Sequence, residues 1–257
     1  MAGLNRAASV QVVIPALNEA LRLPLLLADL AAAPDLLRRP LVVDGGSGDG
    51  TPAIARLAGA RVISSPPGRG IQLQRGAQLA LAELDLEARV HSEREGESGE
   101  RSARQGGCWL LLLHADGRLG PRWQEALQRA LAQPPAPWCF QLRIEGSGLG
   151  LRLVEGAVAL RTRLLHRPYG DQGLLIPSDL YRRVGGYRPW PLMEDLDLVQ
   201  RLAAQGPVRC LGAELRVDGR RWRRQGVART AWRNWQLRRA WRGGVSLERL
   251  AQSYYGS

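Results

Sequence analysis

The stretch that most constrains this chain is LVVDGGSGDGT, residues 41–51. An apolar run stops at Asp44, and only Gly, Ser, Asp and Thr follow as far as Thr51. Leu41–Val43 fits a strand with both faces buried, and nothing after it can pack a core. The glycines let the backbone come close to a ligand, and Thr51-Pro52 supplies a cap and a proline for a helix start. A strand, a polar turn and a helix N-terminus make a βα unit. In a parallel sheet such turns lie at the carboxyl edge, where ligands bind. The turn therefore reads as a lip around something polar. A plain βα turn with an Asp cap is the alternative.

The alternation recurs. Val10–Ile14 reads as a buried strand, and Pro24 opens a Leu- and Ala-rich helix to about Ala33. Pro52 to about Ala58 is a helix ended by Gly59, and Arg61–Ser64 is a short strand. A further helix runs from about Gly70 to Leu86. Residues 87–107 are charged, rich in Gly and Ser and lack a hydrophobic period, which reads as a mobile surface insertion. WLLLL at 109–113 is a fourth strand, and LLIP at 174–177 is another, followed by a helix capped by Ser178. Leu196–Ala204 is a later helix. Wholly apolar strands alternating with helices predict an α/β fold with a mostly parallel central sheet flanked by helices. Polar residues then stand at strand ends: Asn18 and Glu19, Asp44, and His114 with Asp116.

Two nucleotide folds are excluded. IPALNEA follows the first strand where a dinucleotide fold needs G-x-G-x-x-G, and the chain has no lysine for a P-loop. No apolar run reaches the roughly 18–20 residues that span a bilayer. Gln11, Asn18 and Glu19 interrupt the apolar part of the N-terminus, so VQVVIP reads as a strand rather than a signal core, and a cytoplasmic protein is expected. Cys108, Cys139 and Cys210 share no metal-ligand spacing and are expected to be buried free thiols. The net charge is +12, and residues 216–257 carry eleven arginines against Asp218 and Glu248.

Taken in order, IPALNEA, VVDGGSGDGT, HAD after an apolar strand, and GDQGLLIPSDLYRRVGGYRPWPLMEDLDLVQRL resemble the family-2 glycosyltransferases of the GT-A fold. The resemblance runs from Val10 to about Trp222. Within the family the chain is most similar to small soluble bacterial members with HAD in place of the usual DxD, some labelled as arsenosugar-pathway glycosyltransferases.

The resemblance implies roles. Glu19 and Asp44 would hold the base and ribose of a nucleoside diphosphate, with Pro15, Ala16 and Asn18 shaping the wall. Gly45 stands where the family has a second acid, so one polar contact is missing. Arg69 matches a basic position near the nucleotide; a solvated helix-start residue is the other reading. Asp116, and His114 with it, fall on the positions that hold Mn²⁺ or Mg²⁺ between the donor's phosphates. A dication there stabilises the charge gathering on the departing diphosphate. An imidazole ligand favours Mn²⁺; alternatively His114 bonds the donor sugar or closes the strand. Asp195 falls on the general base that takes the acceptor's proton as its oxygen attacks the anomeric carbon, inverting it. Asp197 is next in line. Glu194 and Asp195 are adjacent and cannot share a helix face, so one points into the cleft and one holds the turn. By themselves these acids fit an N-terminal turn that complements the helix dipole. Asp171, Gln172 and Glu194 are candidates for sugar or acceptor hydroxyls, or Asp171 and Gln172 form a plain loop turn. GRRWRRQG, 219–226, faintly resembles the R-W ending of processive polysaccharide synthases. That points to Arg221 or Arg220 at the diphosphate and Trp222 at the acceptor.

The expected organisation is a GT-A domain over 1–222 and a basic Trp/Arg-rich helical tail over 223–257. Three readings of the tail compete. It packs its tryptophans on the domain, it lies on an anionic lipid surface near a lipid-linked acceptor, or it binds nucleic acid. Packing is preferred, peripheral contact with the inner face of the membrane stands second, and nucleic acid stands last. The expected partners are a nucleoside-diphosphate sugar donor and a small-molecule or lipid-linked acceptor. Two rival functions remain. A sugar nucleotidyltransferase needs an early Gly-rich basic loop, which residues 14–24 lack. A binding protein on a degenerate GT-A scaffold would fit the departures at Gly45 and His114.

Overall fold

The computed structural model describes residues 9–95 and 107–255. β1 (Val10–Ala16), β2 (Leu41–Asp44), β3 (Arg61–Ser64) and β4 (Trp109–Leu112) are parallel. α1 (Leu23–Ala31), α2 (Thr51–Leu57) and α3 (Arg69–Glu95) connect them, because parallel neighbours need a crossover. β5 (Gly117–Leu119), α4 (Trp123–Leu131), β6 (Trp138–Ile144) and α5 (Leu149–Leu165) follow. A 3₁₀ turn, Gly170–Gln172, leads into β7 (Leu174–Pro177), α6 (Ser178–Arg183), α7 (Glu194–Ala203) and β8 (Arg209–Val217). The chain then forms α8 (Arg220–Gln225), α9 (Val227–Arg242) and α10 (Leu247–Tyr255).

The strand order is β3-β2-β1-β4-β7-β6-β8-β5. β7 is antiparallel to both β4 and β6, and β8 is parallel to β6. β6 and β8 therefore run in the same direction as β1, β2 and β4. One edge of the sheet collects the carboxyl ends of β1, β2, β4 and β8 and the amino end of β7, and this edge carries the site. Leu112 to Gly117 must reach from β4 to β5, four strands away. Five extended residues span about 17 Å and four strand spacings about 19 Å, so the sheet has to curl.

Both faces are buried. Along β1, Val10, Val12 and Ile14 enter one core with α1 and α4, and Val13 enters the other with α3 and α7. Leu111 and Leu113 face the first core, Leu110 and Leu112 the second. That two-sided burial is why these strands are apolar without alternation.

Several expectations need correction. The helix expected to stop at Leu86 runs on to Glu95, so residues 87–95 are not a loop; residues 96–106 lie outside the described part. Leu86, Glu87, Arg89 and Val90 are exposed, so the helix has no buried apolar face there for a periodicity argument to find. Its charged side chains are good helix formers, and Glu87 pairs with Arg38. Thr51 and Ser178 are first helical residues rather than caps. The helix expected from Leu196 begins at Glu194. Of the cysteines only Cys139 is buried; Cys108 is half-buried and Cys210 exposed, all free. In the tail, Trp241 packs with Leu192, Met193 and Leu237, but Trp232 and Trp235 are exposed. Among the described residues no helix is long and apolar enough to cross a membrane.

Candidate active site

The two loops at the carboxyl ends of β1 and β2 are laced together. Asn18, at φ 55°, donates its amide to Ser47 Oγ and accepts from the Gly48 amide, both at 2.9 Å. The Glu19 amide reaches Thr51 Oγ1 at 2.9 Å, and the Ala20 amide reaches Asp49 at 3.0 Å. Asp44 Oδ2 accepts from the amides of Gly46 (3.0 Å) and Ser47 (3.1 Å). Its Oδ1 is buried without a hydrogen-bond partner, which leaves an acceptor for a ligand donor. Gly45 has a packing cause. A Cβ there would stand 3.0 Å from the Gln72 side chain, which is buried and donates to the carbonyls of Ala16 (2.8 Å) and Val43 (2.7 Å). A second acid there would have to push the Gln72 carboxamide aside by a few tenths of an ångström.

Two cavities meet along this edge. One, of about 730 Å³, has walls from Pro15, Leu17, Glu19, Ile71, Trp190 and Tyr255. The other, of about 320 Å³, is lined by Asp171, Asp195, Asp218, Arg220, Trp222 and Arg238, among others. Arg69, His114 and Asp116 line both, so they stand on the boundary. A largely apolar pocket beside one lined with carboxylates and arginines suits a ligand with an apolar ring at one end and polar groups at the other.

The boundary is desolvated, and its charges follow from that. Burial pushes the His114 imidazolium down to about 3, and the nearby Arg69 guanidinium adds to the effect, so the ring is neutral. Burial raises Asp116. Asp171 is pushed up to about 6, first by burial and then by the charge of Asp195, and its Oδ1 has no partner. Glu194 has no exposed surface and pairs with Arg69; burial raises its carboxyl and Arg69 opposes the shift. Burial also raises Glu19, which Arg220 opposes through a 2.5 Å contact. Arg220 continues to Asp218 at 3.3 Å, and Asp218 also takes Arg22 at 3.2 Å and Arg223 at 3.3 Å. Asp218 is therefore an arginine hub at the end of β8.

Asp195 is held by backbone. Met193 adopts a left-handed conformation, φ 65°, from which α7 starts abruptly. The amide of Gly170 donates to Asp195 Oδ2 at 2.7 Å, and the amide of Leu196 to Oδ1 at 2.8 Å. Each carboxylate oxygen keeps a lone pair for a donor in the cavity.

Of the residues expected at the site, Pro15, Glu19, Arg69, His114, Asp116, Asp171, Asp195 and Trp222 line the two cavities. Asn18 and Ala16 shape the loops behind the wall. Glu194 and Gln172 are corrections. Glu194 is sealed behind Arg69. Gln172 is buried, donating to Phe140 O (3.1 Å) and accepting from Thr162 Oγ1 (3.2 Å) and the Tyr169 amide (3.1 Å). Neither side chain lines either cavity. The side chain of Arg221 lies outside the described part, and Arg220 lines the smaller cavity. Sequence reasoning missed Asp218, whose signal was an acid directly after an apolar-alternating strand. It also missed Trp190, Arg238, Tyr254 and Tyr255, which carry no motif.

A divalent cation fits this donor set in one way. Among the described residues no group of three or more His, Cys, Asp and Glu side chains is gathered to hold one. Asp116 makes no ion pair among them and has neutral His114 beside it. One carboxylate with the remaining positions left to phosphate oxygens and water is how Mg²⁺ or Mn²⁺ sits at a nucleotide, rather than in an all-protein cage.

A family model described as Glycosyl transferase family 2 matches residues 11–186. Among curated protein sequences none matches the chain. Solved structures share its fold. Glucosyl-3-phosphoglycerate synthase from Mycobacterium tuberculosis, in complex with Mn²⁺, UDP and glucosyl-3-phosphoglycerate, is 20% identical with a TM-score of 0.50, over 82% of this chain and 71% of that one. The same protein with Mn²⁺ and UDP-glucose is 18% identical with a TM-score of 0.50, over 82% and 70%. A mycobacterial protein is 21% identical with a TM-score of 0.51, over 82% of this chain. This chain spans 65% of that protein's length.

Proposed function

The chain belongs to glycosyl transferase family 2, and from that premise we propose that it is an inverting glycosyltransferase. It would move a sugar from a nucleoside-diphosphate donor to an acceptor hydroxyl, with Asp195 as general base. The observation that carries this reading is the placement of Asp116 and Asp195. Asp116 stands on the boundary of the large cavity, and Asp195 stands beyond it in the small one.

The nucleoside would lie in the large cavity between Leu17, Ile71 and Trp190, with Glu19 offering an acceptor at its edge and the unpartnered Asp44 Oδ1 standing behind it at the end of β2. Arg69 and Arg220 would face the diphosphate, and Asp116, with His114 beside it, would hold a divalent ion there. The bound ion would stabilise the negative charge that develops on the diphosphate as it leaves. The glucosyl-3-phosphoglycerate synthase structures hold Mn²⁺ or Mg²⁺ with UDP, which supports a divalent ion here. Asp195, oriented by the amides of Gly170 and Leu196, would accept the acceptor's proton. The acceptor oxygen then bonds to the anomeric carbon as the carbon–phosphate oxygen bond breaks, and that electron pair leaves on the diphosphate. Attack from the face opposite the leaving group inverts the centre. The HAD subgroup and the division at residue 222 belong to the same proposal and rest on the sequence resemblance.

The test is thermal shift with UDP, GDP, CDP and dTDP, each with and without Mn²⁺. One diphosphate should stabilise the protein, and more strongly with metal. No stabilisation by any of them would sink the transferase reading and leave a degenerate scaffold in its place.

A further inference from the structure

α5 and α9 lie side by side and run in the same direction. A Cβ on Gly150, at the start of α5, would meet Val227, at the start of α9, at 3.3 Å. Eleven residues on in each helix, Arg161 and Arg238 share the Tyr169 ring, at 3.3 and 4.9 Å from its centroid. The pair therefore presents one surface. α5 buries Leu151, Glu155, Val158 and Thr162 inward. Its outer face carries Leu149, Leu153, Leu160 and Leu164, which are 84%, 74%, 58% and 68% exposed. Their spacing of four, seven and four places all of them on one narrow helix stripe. On α9, Trp232 and Trp235 are also exposed, and stack on each other with centroids 4.8 Å apart. A stripe of four leucines with a tryptophan pair beside it is not an ordinary solvated face.

The surrounding charge indicates what covers it. Residues 219–247 hold nine arginines and no acid; Arg220 and Arg223 pair with Asp218 and Glu19 at the site, and Arg229, Arg233, Arg238, Arg239 and Arg242 belong to α9 itself. The one acid of α5, Glu155, is buried and paired with Arg143 at 2.9 Å and Arg152 at 2.8 Å. A second copy seated face to face would set arginine against arginine, which opposes association. An anionic leaflet satisfies both features. Leucine and tryptophan side chains enter the boundary between headgroups and acyl chains, and arginines meet lipid phosphates.

We propose that the α5–α9 face docks on an anionic lipid bilayer and holds the protein there peripherally. This rests on the surface itself and stands apart from the transferase reading. The opposite side of α9, with Thr230, Asn234, Leu237 and Arg238, lines the smaller cavity. Docking would therefore leave that cavity one helix thickness, about 10 Å, from the bilayer surface.

The experiment is sedimentation of the full chain with phosphatidylcholine vesicles, with and without about 30 mol% phosphatidylglycerol, at low and high salt. Light scattering of the free protein runs alongside. Wild type should be monomeric, sediment only with the anionic vesicles, and release at high salt. Leu153→Glu/Leu160→Glu and, separately, Trp232→Ala/Trp235→Ala should each weaken that binding about tenfold or more with unchanged melting temperature. Absence of binding at low salt overturns the proposal. Unchanged binding in both variants also overturns it, since arginines alone would then account for the attraction. A dimer that Leu153→Glu/Leu160→Glu dissociates overturns it in favour of a second copy. Nucleotide thermal shifts on the same samples report the transferase reading separately.

Discussion

The amide of Gly170 lies 2.7 Å from Asp195 Oδ2, and a Cβ on Gly170 would stand 2.7 Å from the same oxygen. No side chain fits between them. Gly170→Ala must push the Asp195 carboxylate away from the amide that orients it. Displacing a reacting group by about 1 Å can cost on the order of a hundredfold in rate. The variant should therefore lose about tenfold to a hundredfold in kcat for sugar transfer, with its nucleotide-dependent thermal shift intact. Steady-state kinetics with wild-type kcat would show that this seating is not needed.

Asp195→Asn keeps the shape and removes the base. General-base catalysis contributes about 10²–10⁴-fold, and transfer should fall by that amount. Donor binding should survive, because the base acts only in the chemical step. The carboxamide has one acceptor where the carboxylate used two, so one of the Gly170 and Leu196 amides loses its partner. A stability loss of about 1 kcal/mol should accompany the change. A variant that still turns over donor at the wild-type rate would remove Asp195 from the mechanism.

Asp116 and metal should act together. In Asp116→Ala the extra stabilisation that Mn²⁺ gives to the nucleotide-bound protein should vanish, while metal-free nucleotide binding stays near wild type. Titration calorimetry with and without chelator separates the two. Equal losses in both conditions would make Asp116 a structural residue of the boundary.

Glu194 should matter to the fold and to Arg69 rather than to the sugar. It is sealed from solvent with Arg69 as its counter-ion. Breaking a fully buried pair by removing one partner costs about 3–5 kcal/mol, and the Arg69 side chain, 33% exposed, brings the cost below that. Glu194→Gln should lower the melting temperature by several degrees even without nucleotide. If stability holds and only sugar transfer falls, Glu194 faces the substrate after all.

The sequence revealed the first half of the site better than the second, and the reason is physical. Asp44, His114 and Asp116 follow short apolar strands, so the strand ends mark them before any fold is known. Val10–Ala16 and Leu41–Asp44 then pair in parallel, as wholly apolar runs should. Asp218 also follows a strand, but β8 has its exposed and buried positions alternating and lies far along the curled sheet. Its three arginines come from the residue that precedes α1 and from α8, which only the tertiary fold brings together. Gln172 looked available because it stands between glycines in a polar turn; its neighbours Thr162 and Tyr169 take up its side chain. Tyr254 and Tyr255 reach the cavities from the last helix, a placement that no local pattern encodes.

Asp171 ties the smaller cavity to pH. Its carboxyl is pushed up to about 6, by burial first and by Asp195 next, with Asp116 adding and Arg161 and Arg69 opposing. In the unfolded chain the ordinary value is 3.8. Between those values the folded protein holds a proton that the unfolded chain has released. The contribution of this group is thus fully present below about pH 4 and is lost as pH rises through about 6, by at most about 3 kcal/mol. Asp171→Asn stays neutral throughout and should escape that loss. In chelator-treated protein its melting temperature should gain on wild type as pH goes from 4 to 7, with most of the change between 4 and 6. Glu19, Asp116 and Glu194 are raised in both proteins, so the difference between the two curves isolates Asp171. A difference that does not vary with pH would mean that Asp171 ionises in the fold as it does in water, and that the smaller cavity is wetter than its geometry implies.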